Sequence, residues 1–255
     1  MTNAERRQLD EQGFVVLENC MGGELLRELR EQIHEVSDIE RDRAGHEFRT
    51  EANAHRLANL VDKGEVFRRA IVLPRVVERV RHVLGPQIKL SSLNARSADP
   101  NGELPQPLHV DMSALPDEQG YWVCNTIWML DDFTPENGAT RMIPRSHTWG
   151  RLPEPGNRDA HPDQQLVTGR AGTVVVMNTH MWHAGTGNRT DRCRRALHGF
   201  YTRGDKPQQQ FQKALLRAQT VATLSPVQRK VLAIDDPEND RLSSQTTRMS
   251  GFLKD

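Results

Sequence analysis

The 255-residue chain reads as a mainly β domain with flanking helices, and three observations lead there. Runs rich in Val, Ile, Trp and Thr follow one another from about residue 88, with turn chemistry between them. No helical stretch separates those runs, which favours an antiparallel sandwich or barrel over a parallel α/β sheet. Segments of helical period lie before and after the strand series, where they can pack on the outside of a β core.

Taken in order, Phe14-Val15-Val16-Leu17 is a short strand. Behind the Gly22-Gly23 break, Leu25, Leu26, Leu29, Ile33 and Val36 recur at helical spacing, with charges on the other face. Pro74 opens a second helix whose apolar stripe is Val76, Val77, Val80, Val83 and Leu84, and Gly85 closes it. The strand series is Ile88 to Ser97, Tyr121 to Leu130, Gly172 to Trp182 and Arg194 to Tyr201. Asp99-Pro100-Asn101-Gly102, Pro135-Glu136-Asn137-Gly138 and the stretch Gly185 to Asn188 supply turns. Beyond Tyr201 the chain turns polar and helical (Phe211 to Ala218, Pro226 to Leu232) and ends in the loose Met249-Ser250-Gly251-Phe252-Leu253. The expectation is one domain: a helical part over about 1–87, a β core over about 88–204 and a tail over about 205–255, the last a candidate lid or dimer contact.

Composition narrows the function classes. Lysine plus arginine number 34 and aspartate plus glutamate 34, so there is no basic excess to suggest nucleic acid. Cys20, Cys124 and Cys193 are scattered without CxxC spacing, which disfavours a disulfide scaffold or a zinc knuckle and suits a reducing cytoplasm. No apolar run approaches membrane-spanning length and the first residues lack a signal-peptide core. With nucleic acid and membrane both disfavoured, the expected partner is a small molecule, and the protein is expected to be a monomer or homodimer.

Three constellations carry chemistry. In His109-Val110-Asp111, a strand would bring the imidazole and the carboxylate to one face with Val110 on the other. With ten histidines in the chain such a pair arises readily by chance, and alone it reads as a hydrogen-bonded strand end. In His180-Met181-Trp182-His183, continued alternation from the Val174-Val175-Val176 run sets His183 with Val175 and Met177, and His180 with Asn178. That phase favours His183 as a ligand and leaves His180 a hydrogen-bonded shell residue. Arg194 follows eleven positions after His183, beyond a glycine-containing turn, so an antiparallel return would bring its guanidinium back beside the histidine. Arg194 offers a two-pronged grip on a carboxylate; Arg195 is the alternative. Together, two histidines and one aspartate make the ligand set of a non-haem iron(II), open for a 2-oxo acid and dioxygen, with an arginine for the far carboxylate. A zinc hydrolase on the same ligands leaves that arginine unexplained, and a non-catalytic jelly-roll binding protein would use the histidines structurally.

The stretch Trp128-Met129-Leu130-Asp131-Asp132-Phe133-Thr134-Pro135-Glu136-Asn137-Gly138-Ala139-Thr140-Arg141-Met142-Ile143-Pro144-Arg145-Ser146-His147 resembles the strand, "NGAT" turn and "PGSH" segment of the phytanoyl-CoA dioxygenase family of iron(II)/2-oxoglutarate oxygenases. Gln106-Pro107-Leu108-His109-Val110-Asp111, and Trp182-His183 followed by Asn188 and Arg194, are similar too, and the likeness runs from about Gln12 to Phe252. The resemblance implies a double-stranded β-helix (jelly-roll) core, iron(II) on His109, Asp111 and His183, and the 2-oxoglutarate C5 carboxylate on Arg194. It further implies cosubstrate contacts from Gln106 and Thr140. Asp111 stands where a halogenase would carry a small residue, which argues against halogenation. Arg145 replaces the family's glycine, so the backbone could differ there and Arg145 could face a substrate, while His147 holds the loop. Asn59, Met112, Trp122, Asn125 and Trp128 are candidates for the mouth, with packing the commoner role for Met and Trp.

Overall fold

The computed structural model describes residues 1–102, 105–154 and 160–244. The chain opens on α1 (Asn3–Gln12), where Thr2 and Glu5 form a reciprocal capping box, and Gly13 at φ 85° ends the helix. Then come β1 (Phe14–Leu17), α2 (Gly22–Glu40), β2 (Ala54–Leu57), α3 (Glu65–Ala70) and α4 (Pro74–Leu84). The strands β3 (Ile88–Ala98), β4 (Val123–Met129), β5 (Thr140–Met142), β6 (Gln165–Val167), β7 (Val174–Asn178), β8 (His183–Gly185) and β9 (Arg194–Arg203) follow. Short helices α5 (Gln212–Leu215), α6 (Ala218–Ala222), α7 (Pro226–Val231) and α8 (Pro237–Ser243) complete the described chain.

A six-stranded antiparallel sheet, ordered β1-β7-β4-β9-β3-β2, faces a three-stranded sheet ordered β6-β5-β8. Both faces of the large sheet are covered, which is why its strands read as apolar runs rather than simple alternations. Cys124, Trp128, Val174, Val176, Leu197 and Tyr201 point to one face, where they join Leu29, Ile33, Phe67, Val76 and Val80 of the helices. Ile127, Val175, Met177 and Ala196 point to the other face and pack with Met142, Val167 and Phe133 between the sheets. This is a jelly-roll sandwich with flanking helices, as expected, and not a closed barrel.

Two expectations are corrected. The Gly172 to Trp182 strand stops at Asn178, whose side-chain oxygen accepts from the His180 backbone N–H at 3.2 Å and turns the chain. His183 therefore opens β8 in the small sheet, and its phase is not continuous with Val175 and Met177. The first part of the chain is also not wholly helical apart from β1, because β2 adds a second strand and pairs with β3 over Ala95–Ala98. Past the short β2 the edge of β3 is closed by the tail. Gln208 donates to Leu90 O at 2.8 Å, and the Gln210 N–H donates to Ser91 O at 3.0 Å. Gln208 and Gln210 of the tail thus lie on the sheet edge, and Leu216, Leu224, Val231, Leu232 and Ile234 join the core on the helix side; Met249 to Leu253 lie outside the described residues.

Candidate active site

His109 and His183 face each other as a single antiparallel bridge, each backbone N–H donating to the other's carbonyl at 3.0 Å. That pairing holds the two rings 4.5 Å apart at 51°. Each ring's Nδ1 lies against a backbone carbonyl, Pro107 O at 3.0 Å for His109 and Met181 O at 3.1 Å for His183. Donation there fixes the tautomer and leaves both Nε2 lone pairs for a ligand. Asp111 is not on a strand with His109. It opens a 3-10 turn over Asp111–Ser113 in which Met112 takes φ 57° and Ser113 φ 52°. This left-handed curl carries the carboxylate back to the rings, with Oδ1 3.6 Å from His109 Nε2 and 3.5 Å from His183 Nε2. Val110 turns into the apolar cluster with Leu108 and Trp182.

Burial pushes the Asp111 carboxyl up, yet the two imidazoles outweigh it and hold the group well below the usual carboxylate range. Burial alone would lower His183, but Asp111 raises it. Asn125 donates from Nδ2 to Asp111 Oδ2 at 3.1 Å, which leaves Oδ1 turned toward the rings. Two imidazole nitrogens and a carboxylate oxygen, all within 4.8 Å of one another, suit a divalent transition metal.

The three groups line a cavity of about 220 Å³. Arg194, the first residue of β9, enters it from the large sheet with 3% of its surface exposed. It comes from the sheet facing His183 and not from a strand paired with β8, so the expected hairpin return is replaced by a crossing between sheets. Its Nη2 donates to Gly138 O at 2.9 Å and its guanidinium lies 4.1 Å from the Phe133 ring centroid. Its Nε has no hydrogen-bond partner among the described residues. Burial, with Arg96 nearby, brings its pKa down to about 9, so it remains cationic at neutral pH. Arg195 instead makes a two-pronged pair with Asp131, at 2.9 and 2.7 Å.

Gln106 and Thr140 both reach the cavity wall, with Gln106 Oε1 accepting from the Gly185 N–H at 3.0 Å. Met112 and Asn125 line it too, whereas Asn59, Trp122 and Trp128 do not, and Trp128 is packed under the helices. Arg145 is exposed and outside the cavity lining. Its φ of 71° keeps the left-handed backbone that a glycine would adopt freely. His147 lies 3.2 Å from Asp10 O through Nε2 and ties its loop to α1. His180 is held 2.8 Å from Asn178 Oδ1, away from the ligand cluster.

Sequence reasoning missed Glu51, Arg56, Arg96 and His198, all on the cavity wall. Burial, with Arg56, Arg96 and Arg194 around it, pushes the His198 imidazole down to about 3. One signal was present: Ser92, Asn94 and Arg96 alternate along the interior strand β3 and put polar side chains on its inner face.

The family model for phytanoyl-CoA dioxygenase matches residues 9–196. "Dioxygenase af480" of Aspergillus fumigatus is 33% identical over 175 residues, covering 66% of this chain and 55% of that protein. "Dioxygenase trt7" of Aspergillus terreus is 26% identical over 212 residues, covering 75% of this chain and 70% of the relative. The chain thus spans about half the length of the first of these relatives. Among solved structures, HygX from Streptomyces hygroscopicus with nickel and 2-oxoglutarate bound superposes with a TM-score of 0.67 at 17% identity, covering 82% of this chain and 89% of the other. The non-heme alpha ketoglutarate dependent carbocyclase SnoK from nogalamycin biosynthesis gives 0.65 at 21% identity, covering 80% and 85%.

Proposed function

Since the chain belongs to the phytanoyl-CoA dioxygenase family, we propose that it is an iron(II)- and 2-oxoglutarate-dependent oxygenase. Its reaction is the oxidation of an unactivated C–H bond in a small organic metabolite, of the natural-product kind, with release of succinate and carbon dioxide. The observation that carries this reading is the convergence of His109 Nε2, His183 Nε2 and Asp111 Oδ1 beside the buried, partly unpartnered guanidinium of Arg194. Support comes from relatives named dioxygenases and from structural neighbours crystallised with 2-oxoglutarate.

His109, Asp111 and His183 would hold the iron, and Arg194 the cosubstrate's C5 carboxylate. Bound iron(II) with 2-oxoglutarate supplies the oxidising chemistry, in which decarboxylation of the 2-oxo acid is coupled to dioxygen activation. The backbone carbonyls of Pro107 and Met181 orient the two imidazoles, and Asn125 keeps one carboxylate oxygen aimed at the rings. Phe133, under the Arg194 guanidinium, keeps water from that side of the cation. Gln106 and Thr140 complete the wall on the cosubstrate side. A zinc hydrolase would have no use for Arg194, and a non-catalytic jelly roll would have no use for a converged donor set. Among the described residues no helix is long and apolar enough to cross a membrane. We read the protein as a cytoplasmic monomer or homodimer acting on a small molecule and dioxygen.

Anaerobic addition of iron(II) and 2-oxoglutarate is expected to give a visible charge-transfer band that Asp111→Ala abolishes. A metabolite screen scored by substrate-dependent succinate then identifies the substrate. Tight zinc binding with no band for iron and 2-oxoglutarate would sink the proposal.

A further inference from the structure

On the oxygenase reading above, we propose that the substrate carries one carboxylate, held in the cavity by Arg56 and Arg96. Among the described residues of the cavity lining, four guanidiniums (Arg49, Arg56, Arg96, Arg194) face two carboxylates, Glu51 and Asp111. Arg49 is 44% exposed along its side chain and is screened by water, whereas Arg56 and Arg96 are only 11% and 16% exposed. Glu51 accepts from Arg96 Nε at 2.8 Å and also pairs with Arg56 and, at 3.0 Å, with Arg49.

With iron(II) and 2-oxoglutarate bound, Asp111 and the C1 carboxylate would neutralise the ferrous ion, and the C5 carboxylate would neutralise Arg194. Glu51 neutralises one of Arg56 and Arg96. One buried guanidinium charge is left over, and leaving such a charge unpaired away from water is strongly unfavourable. No other carboxylate among the described lining residues supplies the match, so the substrate does.

The local geometry agrees. Arg56 and Arg96 are direct cross-strand partners on β2 and β3, a like-charge pairing that is unfavourable without a bridging anion. Glu51 bridges them on one side, and Arg56 Nε is still buried without a hydrogen-bond partner. Phe48, Ile127, Met177 and Phe200 add apolar surface to a wall that also carries Ser92 and Asn94. A compact monoanion fits this wall, and a dianionic phosphate monoester would overshoot the charge by one.

The test uses the chain loaded with iron(II) and saturating 2-oxoglutarate without oxygen, so that no probe can take the cosubstrate's place. Cyclohexanecarboxylate, its methyl ester and cyclohexyl phosphate are titrated in by calorimetry, alongside the perturbation of the charge-transfer band. The acid is expected to bind at least about tenfold tighter than the ester, a gap of about 1.4 kcal/mol, and tighter than the phosphate. Arg56→Gln is expected to bring acid and ester within about threefold. Glu51→Gln, which adds one net positive charge, is expected to shift the preference toward the phosphate, a signed change that a merely structural role would not produce. Equal binding of acid and ester to the parent chain, or an acid preference that survives Arg56→Gln in folded protein, overturns the proposal. A chain that never develops the band fails the oxygenase reading itself. A chain that develops it yet treats acid and ester alike loses only the carboxylate assignment.

Discussion

Asp111 works as a ligand candidate because its two oxygens are not equivalent: Asn125 occupies Oδ2 at 3.1 Å and Oδ1 faces both imidazoles. Removing that donor leaves the three candidate ligands in place but lets the carboxylate rotate. Asn125→Ala is therefore expected to weaken iron(II) binding about 10- to 100-fold, read by anaerobic titration. Unchanged affinity would show that the turn at Met112 and Ser113 fixes the carboxylate by itself. Adjacent arginines differ just as sharply. Arg194 points between the sheets, and Arg195 points to Asp131 on the other side of β9. Arg194→Leu is expected to raise the 2-oxoglutarate concentration needed for half-maximal turnover by about 100-fold, the scale for losing one partner of a buried charge pair. Arg195→Leu should leave that constant alone and cost about 1 kcal/mol of stability. Parent-like 2-oxoglutarate kinetics in the Arg194 variant would remove it from the cosubstrate site.

At the scale of elements, the junction between α1 and β1 is fastened to the loop after β5. Gly13 sits at φ 85°, and a Cβ there would meet His147 Nδ1 at 2.5 Å. The Asn178 N–H donates to Gly13 O at 2.8 Å, which also ties the end of β7 to this corner. Gly13→Ala is expected to cost about 1–3 kcal/mol in chemical denaturation, from both the left-handed backbone and the contact. Arg145→Gly, at the other left-handed position, should stay within about 1 kcal/mol of the parent because relief of backbone strain offsets the added chain entropy. A loss comparable to that of Gly13→Ala would mean that the Arg145 side chain supports the loop. The elements legible in the sequence were those with an apolar run or stripe: β1, β3, β4, β7 and β9, and the helices α2, α4 and α7. The short β2, β5, β6 and β8 were missed because, unlike the all-apolar Phe14–Leu17 of β1, their three or four residues mix polar and apolar side chains, and α1 because its one buried side chain, Leu9, leaves no stripe.

Across the whole molecule, β2 and β3 of the large sheet bring Arg56 and Arg96 to Glu51, and the cavity sets this cluster beside the His109–Asp111 turn. Burial pushes Glu51 up, but Arg56, Arg96 and Arg49 outweigh it and lower its pKa to about 2. A carboxylate depressed in the folded state stabilises fully above its unfolded pKa, near 4.5, and loses that contribution as pH falls through about 2. The contribution is on the order of 3 kcal/mol at neutral pH. Glu51→Gln should flatten the fall in stability between about pH 4.5 and 2, measured by denaturant titration across that window. An acid limb as steep as the parent's would assign it to other carboxylates.

The sequence by itself determined the residue types and their order along the chain: two histidines, an aspartate and an arginine within a strand-rich region. Those identities are local chemistry, and a linear reading can find them. Only the tertiary structure decided how they meet. Asp111 reaches the rings through a left-handed turn, and His183 and Arg194 arrive from opposite sheets. The second arginine cluster gathers from β2, β3 and the loop before them. Sheet packing fixes such meetings through contacts between residues distant in the chain, and no period or spacing encodes those distances.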